Sequence, residues 1–192
     1  YGDYECVMFE DVLNQTPIIQ MNDYAMSKRV NEMQVHNSRS QFGTETVLVR
    51  FFNTYGPGEW YHPFRSVNCL FTYNLLHGKP ITVFKGHSRT STYIYDSVRT
   101  LANIADNFID GQTYNIASDQ EHTIELLAQT LVKYTKADPS LVDYREHNEI
   151  LTTKHKHVDA SKSVRDLDHK NTVTLEEGVW ETVQWMKEHY RL

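Results

Sequence analysis

The sequence predicts an α/β fold, in which helices alternate with short strands of a mostly parallel sheet. A segment free of proline and glycine spans residues 23–42, and an apolar, β-branched run at residues 46–52 follows it. A second run of this kind lies at residues 113–117. Short apolar runs are typical of strands that helices bury on both faces. A strand that follows a helix is the alternation that such a sheet requires.

The helix at residues 23–42 carries the first candidate site. Asp23 can cap its start, and Gly43 is suited to its C-terminal end. Tyr24 and Lys28 are four residues apart and therefore lie on one helix face. A free phenol is a poor base at neutral pH, but a fixed cation beside it favours the phenolate. The spacing makes Tyr24 a candidate general base, and the alternative is a chance pair on a half-exposed face.

A turn-rich loop follows the strand at residues 46–52 and begins Asn53-Thr54-Tyr55-Gly56-Pro57-Gly58. Loops at the carboxyl ends of strands are where open α/β sheets bind ligands. The amide of Asn53 suits a sugar hydroxyl or a diphosphate oxygen, unless it only satisfies its own turn. Residues 59–66 combine aromatic side chains with Arg65. They fit either the mouth of a pocket for a base and its phosphates or a packed loop.

Arg89 is the next candidate binding residue. It precedes Asp96 by seven positions in a polar and aromatic stretch. A guanidinium binds phosphate through paired donors, and the alternative is an exposed arginine on an edge strand. Residues 93–95 are strand-like, and Asp96 is expected to cap the helix that follows them.

The remaining elements follow from apolar periodicity and turn residues. Helices are expected at 67–77, 97–105, 124–134 and 175–190, with a short strand at 81–84. Residues 136–157 are polar and poorly periodic, with a short strand starting at Tyr144-Arg145. Asp159 can cap a short helix that runs through Arg165. His155-Lys156-His157 is interpreted as a solvated turn rather than a metal site, because lysines flank the histidines.

Composition restricts the class of protein. The chain has 192 residues with 40% hydrophobic content, which is enough for one core. A net charge of −6 argues against a nucleic-acid partner. The two cysteines suggest no disulfide framework, so a reducing cytoplasm is expected. No run approaches the roughly 18 apolar residues that a membrane span needs.

Several motifs in a fixed order give the chain a resemblance to a known group. It resembles the extended short-chain dehydrogenase/reductase superfamily, in its nucleotide-sugar epimerase/dehydratase branch. The motifs that carry the resemblance are Tyr24-Ala25-Met26-Ser27-Lys28, Arg50-Phe51-Phe52-Asn53-Thr54-Tyr55-Gly56-Pro57-Gly58, His77-Gly78-Lys79-Pro80-Ile81-Thr82-Val83-Phe84, Arg89-Thr90-Ser91-Thr92-Tyr93-Ile94-Tyr95-Asp96, Val158-Asp159-Ala160-Ser161-Lys162 and Thr174-Leu175-Glu176-Glu177-Gly178.

The resemblance implies an incomplete Rossmann-like parallel sheet with a smaller C-terminal α/β substrate-binding lobe. Residues 1–58 would be the C-terminal half of the dinucleotide-binding domain. Residues 59–192 would be mainly the substrate lobe, with 92–117 returning to the first domain. These residues contain no G-x-G-x-x-G turn. The chain is therefore expected to be the C-terminal part of a longer enzyme.

The resemblance also implies an activity. The family uses NAD to oxidise a nucleotide-diphosphate sugar transiently at the sugar C4. Tyr24 and Lys28 would be catalytic and would bind the cofactor. Asn53, Arg65 and Arg89 would bind the nucleotide sugar, and no metal is expected.

The reaction type stays open at this point. Epimerase, dehydratase and UDP-glucuronate decarboxylase share this chemistry, and the Arg89 and Asn53 matches lean towards the last two. Lys156 stands where many relatives carry an arginine near the nucleotide. Relatives also imply a homodimer for the full-length enzyme. The alternatives are a non-catalytic fragment and a nucleotide-sugar-binding module.

Overall fold

A computed structural model of the chain describes residues 1–4, 6–146 and 153–192. Within these residues the helices are α1 (Val12–Gln15), α2 (Asp23–Phe42), α3 (Val67–Leu76), α4 (Ile94–Asn103), α5 (Ile124–Thr135), α6 (Ser161–Leu167) and α7 (Leu175–Tyr190), with a 3₁₀ turn at Pro139–Leu141. The strands are β1 (Leu48–Phe51), β2 (Ile81–Phe84), β3 (Ser88–Arg89), β4 (Thr113–Ile116), β5 (His122–Thr123) and β6 (Val142–Arg145).

The strands of the described residues form three separate pairs. β1 pairs with β4 in parallel, in a register that places Leu48 beside Thr113 and Phe51 beside Ile116. β2 pairs with β6 in parallel, and β3 pairs with β5 in antiparallel. The two apolar runs of the sequence are thus confirmed as strands, and the structure shows that they pair with each other in parallel. β4 is mostly buried, but β1 is not, because β4 is its one neighbour among the described residues.

The main core lies where α3, α5 and α7 pack together beside β2. Its buried members are mostly aliphatic and aromatic side chains at helical spacing, as the sequence pattern requires. They are Tyr55, Phe71, Leu75, Ile81, Val83, Tyr93, Ile124, Leu127, Ala128, Leu131, Val179 and Val183. A smaller cluster of Met8, Phe52, Ala117 and Val158 fills the space around the ends of β1 and β4.

The helix α2 lies outside both cores and buries none of its residues. Its N-cap is Asn22, whose side chain accepts from the Ala25 amide, rather than the expected Asp23. Gly43 adopts the left-handed conformation that ends the helix, as expected. Polar pairs rather than apolar packing tie α2 to the other elements.

The stretch before α4 was predicted incorrectly. Residues 93–95 do not form a strand: Tyr93 makes a single bridge to Tyr55, and α4 begins at Ile94. Asp96 lies inside the first turn and does not cap the helix. Its buried carboxylate accepts hydrogen bonds from the Thr172 amide and hydroxyl, so it fixes the segment before α7. A strand pattern of only three residues is too short to outweigh these long-range contacts.

The last third of the chain agrees more closely with expectation. A short strand was expected to start at Tyr144-Arg145, but β6 starts at Val142 and ends at Arg145. Residues 147–152 of the polar segment lie outside the described part of the chain. Asp159 accepts from the amide of Ser161, the first residue of α6, although the N-cap position itself is Ala160 and α6 extends past Arg165 to Leu167. Thr174 and Glu177 form a capping box at the start of α7.

Candidate active site

Tyr24 and Lys28 lie together on α2, as their spacing predicted. The ammonium of Lys28 is 5.3 Å from the centre of the Tyr24 ring. Both side chains are exposed, with 72% of Tyr24 accessible. The pair thus presents a phenol and a cation on one open face.

An ion pair between α2 and β1 holds the helix that carries this pair. Arg50 donates to the two carboxylate oxygens of Glu32 at 2.7 and 2.9 Å. Both side chains are about 15% exposed or less. Burial alone would raise the pKa of Glu32, but the hydrogen bonds and charges of Arg50 and Arg29 outweigh it and lower that pKa. The carboxylate therefore stays charged and keeps the link at neutral pH.

Asn53 lies two residues after the end of β1 at Phe51, and Phe52 is between them. Its backbone has a positive φ of 43°, a conformation that asparagine tolerates better than most residues. Its side-chain nitrogen is buried and has no hydrogen-bond partner among the described residues. An unpaired buried donor costs about 1–3 kcal/mol. A ligand acceptor at the carboxyl end of β1 would remove that cost.

Arg89 is half-buried and makes no contact with a carboxylate in the described residues. One terminal nitrogen, Nη1, donates to the backbone oxygens of Ser88 at 2.6 Å and Lys154 at 3.0 Å. Burial lowers the pKa of the guanidinium. The remaining N–H groups of Arg89 have no hydrogen-bond partner in the same described residues. The side chain is therefore a partly desolvated cation with donors left for an anion.

Lys156 is a second cation, close enough to Arg89 for the two charges to interact. Burial, followed by the charge of Arg89, lowers the pKa of Lys156 to about 8. The expectation of a wholly solvated turn at residues 155–157 is therefore wrong at Lys156. Its two neighbours are exposed, and they contact Ser88 and Glu121. Burial makes two neighbouring positive charges costly. An anion that binds between them offsets this cost and stabilises both charges.

The loop of residues 59–66 divides into two parts. Trp60 packs edge-on against Trp185, and the amide of Tyr61 donates to the Tyr190 hydroxyl. This half is a packed loop on α7. Arg65 is exposed, and no ion pair or hydrogen bond joins its guanidinium to another described side chain. Its role in binding stays a prediction.

The structure brings together some of the expected residues and adds others. Tyr24 lies with Lys28, whereas no hydrogen bond or ion pair connects Tyr24, Asn53 or Arg89 to one another in the described ranges. The residues beside Arg89 are Lys156 and His122. The family match had marked the position of Lys156. Nothing in the sequence pattern marked His122, because its importance depends on a strand pairing across 33 positions.

The described residues contain neither a membrane-spanning helix nor a cluster of metal ligands. No helix there is long and apolar enough to cross a membrane. No group of three or more histidine, cysteine, aspartate or glutamate side chains in those ranges is arranged to hold a metal ion.

Comparison with protein families shows which family the chain belongs to. The model of the NAD dependent epimerase/dehydratase family matches residues 1–117, which include α2, the Asn53 loop and Arg89. The chain belongs to the NAD dependent epimerase/dehydratase family. The match contains both Tyr24 and Lys28, so the exposed pair lies in the part of the chain that the family shares.

The similar members of the family are named for different reactions. The chain is 27% identical over 189 residues to UDP-glucuronate 4-epimerase 1 of Arabidopsis thaliana, covering 87% of the chain and 42% of that protein. It is 29% identical over 170 residues to dTDP-glucose 4,6-dehydratase of Salmonella typhimurium, covering 84% of the chain and 46% of that protein. The chain thus spans less than half the length of either relative.

A solved family structure has the same fold. It is the UDP-glucuronic acid 4-epimerase of Bacillus cereus in complex with UDP-glucuronic acid and NAD. Its TM-score is 0.85 at 24% identity, and the alignment covers 99% of the chain and 59% of the epimerase. The fold is therefore the α/β fold of Rossmann-type epimerases, as the sequence predicted.

Proposed function

We propose that this chain is the part of an NAD-dependent nucleotide-sugar enzyme that carries the C4-oxidising base. The observation that carries the proposal is the exposed Tyr24–Lys28 pair, separated by 5.3 Å, within the residues that the family model matches. Epimerases, dehydratases and UDP-glucuronate decarboxylases begin with the same oxidation at C4. The proposal covers this shared first step, and the lean towards a dehydratase or decarboxylase remains a finer hypothesis.

The substrate in this proposal is a nucleotide-diphosphate hexose. Arg89 and Lys156 supply two cations that no described carboxylate neutralises, and such a pair suits a diphosphate. Asn53 offers an unpaired buried amide donor at the carboxyl end of β1. Arg65 is assigned to the mouth of the same site on its exposure and loop position. These residues would hold the nucleotide while the sugar reaches Tyr24.

Proton transfer is the step assigned to Tyr24. Its phenolate oxygen would take the proton of the sugar C4 hydroxyl as that carbon is oxidised. Lys28 would stabilise the phenolate and bind the nicotinamide ribose. The two exposed polar side chains fit that end of NAD, because a phenol and an ammonium share one open helix face. When bound, NAD supplies the hydride acceptor and later returns the hydride.

The placement of the chain within the whole enzyme belongs to the same proposal. Residues 1–58 would complete the dinucleotide-binding domain, and residues 59–192 would form mainly the substrate lobe, with 92–117 shared with the first domain. We assign the enzyme to the cytoplasm, as a homodimer. A second candidate function is a binding module without chemistry, which the uncovered α2 favours, since that helix buries no residue here.

Replacement of the base in the full-length protein tests the proposal. Tyr24→Phe removes the hydroxyl and should abolish conversion of UDP-, dTDP- and GDP-sugars while nucleotide-sugar binding persists. Tyr95→Phe is the matched control, because Tyr95 is 63% exposed on a different helix. Products are identified by mass spectrometry and binding by calorimetry. Turnover by Tyr24→Phe at the wild-type rate would reject Tyr24 as the base. Binding without turnover in the wild type would favour the module.

A further inference from the structure

Three buried polar side chains near Arg89 are linked by hydrogen bonds, and the proposed chemistry uses none of them. The imidazole Nε2 of His122 lies 3.2 Å from the hydroxyl oxygen of Ser91. The amide nitrogen of Asn68 lies 3.4 Å from that same oxygen. All three side chains are less than a tenth exposed. These hydrogen bonds thus connect α3, the segment after β3, and β5.

The strand register places His122, the last of these three residues, opposite Arg89. In the antiparallel ladder of β3 and β5, His122 is the direct partner of Arg89. Side chains of directly opposed residues lie on the same face of the ladder, about 5 Å apart at their Cβ atoms. The charge of Arg89 also acts on the titration of His122. The register thus places the His122 side chain on the same face of the ladder as Arg89, within reach of the charge of its guanidinium.

The hydrogen bonds are compatible with a neutral His122 ring. The Asn68 amide donates to the Ser91 hydroxyl, which can in turn donate its own proton to Nε2 of a neutral His122. Burial, followed by the charge of Arg89, lowers the pKa of His122 to about 4, which agrees with a neutral ring. A neutral ring neither repels the guanidinium nor competes with it for an anion.

The arrangement leaves Arg89 constrained on one side and open on another. Its Nη1 is occupied by the backbone oxygens of Ser88 and Lys154. We propose that His122, held by Ser91 and Asn68, is a positioning residue that keeps the Arg89 guanidinium in the orientation that binds the phosphates of the nucleotide. The inference rests on the proposed function, in which Arg89 binds a diphosphate. It assigns a role to residues that contact no substrate themselves.

A double-mutant cycle on the full-length protein tests this role, with UDP and dTDP as the titrated probes. His122→Leu keeps the volume but removes the acceptor, and we expect it to weaken binding roughly tenfold. His122→Gln can still accept from Ser91 and should bind within about threefold of the wild type. In an Arg89→Ala background, His122→Leu should cause no further loss, because its effect passes through Arg89. Ser91→Ala should behave like His122→Leu and replaces it if that variant does not fold.

The outcomes separate this inference from the proposed function. Binding by His122→Leu or Ser91→Ala at the wild-type affinity would overturn the inference. An equal loss in the wild-type and Arg89→Ala backgrounds would also overturn it, since a general structural effect persists without Arg89. If Arg89→Ala binds both nucleotides as the wild type does, or if the wild type binds neither, the proposed diphosphate site itself is wrong. Thermal unfolding of each variant verifies that the protein is folded when its nucleotide affinity is measured.

Discussion

The carboxylate of Glu32 on α2 accepts two hydrogen bonds from Arg50 on β1, at 2.7 and 2.9 Å. This pair is the main polar link between the sheet and the helix that carries Tyr24 and Lys28. Because α2 buries no residue, its position depends on such links more than on packing. The orientation of the proposed base is therefore determined by an ion pair two turns further along the same helix.

Removal of this link should cost stability and activity together. Glu32→Gln leaves the Arg50 guanidinium mostly buried without its counter-charge, so we expect a loss of about 2 kcal/mol in the free energy of unfolding. Urea denaturation measures the loss, and turnover of the full-length enzyme should fall as α2 loses its anchor. The control is Arg39→Ala, which breaks the more exposed pair with Asp110 and should cost clearly less stability than Glu32→Gln. Equal losses for both variants would contradict the anchoring role of Glu32.

Much of the fold was predictable because its determinants are local. The pattern of α5 and its cap at Thr123, and the pattern of α7 and its cap at Thr174, depend on residues within a few positions of each other. The strands β1 and β4 were predictable from two short apolar runs, whereas their pairing is seen only in the structure. The stretch at residues 93–95 was misassigned because its contacts, to Tyr55 and to Glu181, come from distant parts of the chain.

The candidate site was predictable only where a motif spans a single element. Tyr24 and Lys28 meet because one helical turn brings them together. The surroundings of Arg89 depend on Lys154 and Lys156, more than 60 positions away, and on the pairing with His122. Burial of a lysine among charged neighbours leaves no periodic pattern in the sequence. The cationic pair of Arg89 and Lys156 therefore emerges only from the folded chain.

Nucleotide binding should weaken in alkaline solution because of Lys156. The pKa of this ammonium is about 8, so it loses its charge as the pH rises through that value. If the bound diphosphate requires the charged form, the affinity for UDP should fall roughly tenfold between about pH 7 and pH 9. Lys156→Arg stays charged and should retain its affinity over that range. Lys154→Arg, at an exposed neighbour, should titrate like the wild type; a flat wild-type profile would remove Lys156 from the site.

Stability should fall in mild acid because His122 is buried in its neutral form. Its pKa of about 4 lies below the ordinary value of 6.5, so the unfolded chain binds the proton first as the pH falls. The contribution is fully present above about pH 6.5 and is lost progressively towards pH 4, which amounts to about 2 kcal/mol between pH 7 and pH 5. Urea unfolding at both pH values measures it. His122→Leu has no such proton and should show a smaller loss, and parallel losses in the two proteins would contradict the assignment.

Gly178 in α7 should not accept a side chain, although alanine is the better helix former. A Cβ atom there would lie 2.3 Å from the hydroxyl oxygen of Tyr55 and 2.9 Å from a ring carbon of Tyr93. Both tyrosines are at most 3% exposed, so neither ring can move away freely. The gain of up to about 1 kcal/mol in helix propensity is therefore smaller than the overpacking cost of about 1–3 kcal/mol. Gly178→Ala should lower the urea midpoint, whereas Gln184→Ala, on the exposed side of the same helix, should leave it unchanged or raise it slightly. An increase in the midpoint for Gly178→Ala would show that α7 can shift away from the two tyrosines.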